Sequence, residues 1–153
     1  MAIRDGEAAQ KEASTLVVRR TIQAPAERLF RAWTEPAQLL AWWGPATARC
    51  SGAEVDLRVG GKYRLANTFP DGRVVFIVGA FERISPPREL VYTWRLEGVG
   101  EEDERVTVRF LGSGGSTEVV VLHERIATPQ MREGHAQGWE GCLDGLARYV
   151  APA

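Results

Sequence analysis

Only one stretch of this chain has the length and periodicity of a long helix, Pro129 to Val150, and it comes last. Placed at about 100° per residue, Met131, His135, Trp139, Cys142, Leu146, Tyr149 and Val150 fall on one apolar stripe. Gly134, Gly138, Gly141 and Gly145 form a second stripe beside it, and Glu133, Gln137, Glu140, Asp144 and Arg148 share the solvated arc. Pro129 suits the first turn, where its missing N–H would have no partner in any case. Each glycine costs a helix roughly 0.8–1 kcal/mol against alanine, so packing from outside must hold this one. A face of glycines either lets another backbone come close or leaves space between the helix and its neighbour. The sequence leaves both readings open.

Most of what precedes the helix alternates with period two. Leu16 to Ile22 reads as a first strand, and Ala24-Pro25 ends it. Two short helices follow, one through Leu29, Phe30, Ala32 and Trp33, the other opened by Pro36 and running through Leu39, Leu40, Trp42 and Trp43 to Gly44-Pro45. Six strands come next. They are Thr47 to Leu57 with a bulge near Ser51-Gly52, Lys62 to Asn67, Val74 to Ile84, the run around Leu90 to Glu97, Val106 to Phe110, and Thr117 to Glu124. Pro70-Asp71-Gly72 is a strong hairpin turn, and the charged run Gly100 to Glu104 reads as an exposed one. Val74 to Phe81 is apolar on both faces, as expected of a central, covered strand or a subunit interface through which the chain pairs as a homodimer. Hairpin connections make the sheet antiparallel. The fold class is α+β in the order β-α-α-β6-α, a curved antiparallel sheet of about seven strands wrapped around the long C-terminal helix. A gap between sheet, long helix and short helices is where a small-molecule pocket belongs.

At 153 residues the chain fits one domain. Its net charge of -1 lacks the basic field that nucleic acid or an anionic membrane requires. No apolar run approaches the roughly 20 residues of a membrane span, and residues 1–14 are polar, which reads as a flexible N-terminal arm with no signal sequence. Cys50 and Cys142 have no metal-ligand spacing and fit reduced thiols in a cytoplasmic protein.

Several linked runs resemble a known family. "APAERLFRAWTEPAQLLAWWGP", "VDLRVGGKYRL", "PDGRVVFIVGAFERISPPRELVYTW" and "GHAQGWEGCLDGLARYV" are similar, in order, to the homologues of the activator of the heat-shock protein 90 ATPase. That family belongs to the START-like, or SRPBCC, superfamily. The resemblance implies a single helix-grip domain over residues 15–151, with a cavity for a small hydrophobic or aromatic molecule. Carried over by position, it places Trp42 and Trp43 near the mouth, Tyr63 and Trp94 on the sheet, and His123, His135 and Trp139 deeper in. It also brings a chaperone partner into view, and it implies no cofactor.

The residues themselves offer little chemistry beyond this. His123 and His135 are the only histidines, and both fall on inward faces. They are either hydrogen-bonded core residues or a general acid/base pair, since an unperturbed imidazole titrates near pH 6.5. No metal is expected, because two histidines need further ligands and no acidic residue falls clearly on the same inward face. Adjacent Trp42 and Trp43 cannot both face inward on one helix, so one of them should lie near the surface as a lid or entrance. The Cys142 thiol has no cation near it in sequence and should be inert. Three functions follow: a binding protein for a small apolar ligand, a polyketide cyclase or dehydrase type of enzyme using the cavity histidines, and a chaperone partner acting through its surface.

Overall fold

The computed structural model describes residues 13–45, 47–99 and 102–152, so most of the expected N-terminal arm lies outside the described residues. Among the described residues, seven strands and three helices are formed: β1 (Leu16–Ile22), α1 (Ala26–Thr34), α2 (Pro36–Trp42), β2 (Arg49–Val55), β3 (Lys62–Thr68), β4 (Val74–Ser85), β5 (Glu89–Leu96), β6 (Glu104–Ser113), β7 (Ser116–Glu124) and α3 (Pro129–Val150). The strands make one antiparallel sheet in the order β1-β7-β6-β5-β4-β3-β2. Every connection from β2 to β7 joins neighbours. Only the link from β1 to β2 crosses the sheet, and α1 and α2 lie on it.

Each strand sends alternate residues to one buried face: Leu16, Val18 and Ile22 from β1, Tyr63, Leu65 and Asn67 from β3, Leu90, Tyr92 and Trp94 from β5, Val106, Val108 and Phe110 from β6, and Val119, Val121 and His123 from β7. The sheet closes around α3 with this face inward, which is the helix-grip arrangement. The expected bulge in β2 is present, as a register shift between Cys50 and Gly52. At the start of α3, the Thr128 side chain accepts the N–H of Met131, capping an otherwise orphaned donor. Farther along the helix, Arg20 of β1 reaches both Glu140 and Asp144, at 2.8 and 2.6 Å.

Four local readings change. Trp43 stands just past the end of α2 with extended backbone, φ -67° and ψ 142°. Ending the helix between the two tryptophans removes the geometric conflict, and both rings are buried. Glu104 belongs to no exposed turn: it opens β6 and is buried, opposite Trp94 of β5. The inward stripe of α3 also includes Leu143, which is fully buried, while Met131, Tyr149 and Val150 are only partly covered. Finally, β4 lies between β3 and β5 but is not covered on both faces. Ile77 and Phe81 face the core, whereas Val78 sits on the outer face between the stems of Arg64 and Arg95 in register. The Arg64 guanidinium lies 3.7 Å from the centre of the Phe76 ring. Long arginine stems thus cover apolar strand surface while their charges stay in water.

Candidate functional site

A cavity of about 320 Å³ lies between the first half of α3 and the sheet. Gly134, His135, Gly138, Trp139 and Cys142 form its helical wall, Asn67, Val75, Ile77, Trp94 and Leu96 its sheet wall, and Trp43 closes it from the α2 side. Pro45, Phe69 and Arg73 complete the lining. Sharing Trp43, Ile77 and Trp94 with it is a second space of only about 20 Å³, lined by Trp33, Leu39, Val55, Tyr63, Leu65, Phe81 and Tyr92, room for about one water molecule. Of these two adjoining spaces, only the larger has the volume for more than a water molecule.

The glycine stripe explains where this space comes from. A Cβ added at Gly134 or Gly138 would meet no atom within 4 Å, whereas one at Gly145 would stand 2.8 Å from the Trp42 carbonyl oxygen. Both readings of the stripe hold, each for one half of the helix.

Of the residues the sequence pointed to, Trp43, Trp94, His135 and Trp139 line the cavity. Tyr63 lines the small inner space and donates its hydroxyl to the Thr93 carbonyl at 2.6 Å. Trp42 lines neither. Its ring packs against Trp33 and Trp43, and its Nε1–H donates to the Ala32 carbonyl at 2.8 Å. His123 is fully buried behind the cavity wall.

Glu104 ties the two histidines together. Its Oε1 accepts from His123 Nε2 at 2.7 Å and from His135 Nε2 at 2.9 Å. The two imidazoles are stacked 4.7 Å apart, with the Trp94 ring edge-on to both. Trp139 Nε1–H donates to His123 Nδ1 at 3.0 Å. That bond sets the tautomer of His123: Nδ1 accepts, so Nε2 carries the proton and donates to Glu104. Burial pushes the His123 pKa below its ordinary value, against the opposing pull of Glu104, so the ring is neutral at pH 7. Burial also opposes the charge on Glu104, but the hydrogen bonds from the two imidazoles outweigh it and hold the carboxyl down at about 2. The result is a buried carboxylate held by two N–H donors.

Glu104, His123 and His135 bring their ligand atoms within 4.8 Å of one another, a spacing a metal ion can span. Their hydrogen bonding favours a different use. A neutral His123 could ligate through Nε2 only by moving its proton to Nδ1, where the Trp139 N–H already points. Metal-binding histidines instead have an acceptor at the second nitrogen.

The cysteines are free and buried, and burial pushes the Cys142 thiol up to about 12, so it is no nucleophile although it lines the cavity. Glu104 is the residue that sequence reasoning missed. The signal was present, because extending the inward parity of Val106, Val108 and Phe110 back by one step reaches it.

The family model of activator of Hsp90 ATPase homolog 1-like proteins matches residues 23–151. The chain belongs to that family. Solved structures share the fold. The chain is similar to protein CV1439 from Chromobacterium violaceum, at 26% identity and a TM-score of 0.78, covering 92% of this chain and 99% of that one. An HSP90 activator from Plasmodium falciparum is similar at 26% identity and a TM-score of 0.70, covering 90% and 96%. The AHSA1 protein from Silicibacter pomeroyi matches at 22% identity and a TM-score of 0.80, covering 90% and 97%, and speaks for the fold alone. No curated protein matches the chain. Among the described residues, no helix is long and apolar enough to cross a membrane.

Proposed function

We propose that this protein binds a small hydrophobic or aromatic molecule in the cavity between α3 and the sheet. The observation that carries the reading is the cavity itself: about 320 Å³, walled by Trp43, Trp94, Trp139 and Phe69, and kept open on the helix side by Gly134 and Gly138. Aromatic walls with a few convergent polar groups are the usual make-up of a small-molecule site. Here one such group is His135, backed by Glu104. His123 stands behind it, hydrogen-bonded to the same Glu104 oxygen.

The test is thermal unfolding of the protein against a panel of aromatic, lipid-like and polyketide-like compounds. A ligand at about 100 times its Kd adds roughly 2.7 kcal/mol, a clear upward shift of the midpoint. A shift that disappears in Trp94→Ala or Gly138→Leu supports the cavity. A flat response across the panel contradicts it.

A second reading, an enzyme of the cyclase or dehydrase type, is favoured by one observation. An imidazole on the cavity wall backed by an ionised carboxylate is the arrangement of a general base. Turnover of a bound polyketide-like compound, lost in His135→Gln with binding retained, would establish it. The family relation, including the similarity to an HSP90 activator, also supports a chaperone partner. Stimulation of a chaperone ATPase that is indifferent to cavity substitutions would favour that role over the cavity.

A further inference from the structure

We propose that the ligand carries a hydroxyl group, a phenol or an enol, which donates its hydrogen to Nδ1 of His135. This rests on the cavity reading above and narrows it to a chemical class. The Nε2–H of His135 is directed to Glu104, so in the neutral ring Nδ1 is an acceptor. Among the described residues His135 makes no other hydrogen bond, and its ring lines the cavity. The carboxylate behind the ring makes the imidazole a stronger acceptor, as it does for histidines that ligate metals.

The Trp94 ring lies 4.8 Å from that of His135, centre to centre. His135 Nδ1 is the acceptor that this stretch of wall presents to a ligand. A hydroxyl can give one hydrogen bond and accept another. An ether can only accept. A carboxylate also only accepts, and at this end of the cavity it would face the charge of Glu104. Arg73 lies elsewhere on the lining, and it is the group that would favour a carboxylate instead.

Calorimetric titration at about pH 8, above the ordinary imidazole range near 6.5, with naphthol, its methyl ether and naphthoate separates these cases. Naphthol should bind about tenfold or more tighter than either relative. In His135→Phe its advantage over the ether should fall below about twofold, with the ether's own affinity little changed; His135→Leu replaces that variant if circular dichroism shows it misfolded. Equal affinity for naphthol and ether, tighter binding of naphthoate, or a preference that survives loss of the imidazole would overturn the inference while leaving the cavity as a binding site. Binding of none of the three would remove both.

Discussion

Gly138 and Gly145 sit about two turns apart on one helix, and a methyl group added to each would meet opposite surroundings. At Gly138 it would enter open space; at Gly145 it would press on the Trp42 carbonyl. The second half of α3, with Gly141, Cys142, Leu143 and Leu146 buried, is a structural clamp against the sheet and α2. The first half stands off from the sheet and leaves the cavity, with His135 on its wall. One residue type on one helix thus serves stability at one end and vacancy at the other, and burial tells the two apart where periodicity does not.

The largest effect should come from breaking the packed half. Leu143→Ala removes a fully buried side chain and should cost about 2–5 kcal/mol in denaturant unfolding. It should leave ligand affinity nearly unchanged in the fraction that remains folded.

The polar trio behind the cavity comes next. Glu104→Gln should cost about 1.5–3 kcal/mol near neutral pH, the range for hydrogen bonds to a charged group. It should also change the acid limb of stability. The folded-state pKa of His123 lies below its ordinary value of 6.5, and that of Glu104 falls from 4.5 to about 2. The unfolded chain therefore binds more protons than the folded one across both ranges, and stability falls as pH falls. The His123 contribution is lost first, below about 6.5, and that of Glu104 between 4.5 and about 2. Urea unfolding at stepped pH should show the lower part of this limb flattened in Glu104→Gln.

The glycines then divide by sign. Gly145→Ala should destabilise by about 1–3 kcal/mol, because overpacking against a backbone carbonyl exceeds the helix-propensity gain. Gly134→Ala and Gly138→Ala should each stabilise by about 0.8–1 kcal/mol, since nothing resists the added methyl. Thermal midpoints of the three variants would settle the comparison, and a common sign would break it.

The architecture was legible because period-two and helical stretches are local signals. Among the described residues, the seven strands and three helices each overlap the segment that periodicity and the Pro and Gly stops mark, with ends that differ by a few residues, and α3 runs from Pro129 to Val150 as expected. The site was less legible, for tertiary reasons. Glu104 ends a run of charges that reads as solvent-exposed. It is buried because β6 begins one step earlier, which aligns it with Trp94 and with the two histidines. Trp43 turns inward because α2 ends just before it, a boundary of one residue that propensity does not resolve. The contrast between Gly138 and Gly145 depends on where α2 crosses α3, which neither segment encodes alone.

The most direct test is to fill the open half with a side chain the fold has room for. Gly138→Leu should match or exceed the thermal midpoint of the unmodified protein, and it should abolish the upward shift given by a compound that stabilises that protein. A well-folded Gly138→Leu protein whose ligand-induced shift is unchanged would contradict the account, because binding would then lie outside the cavity.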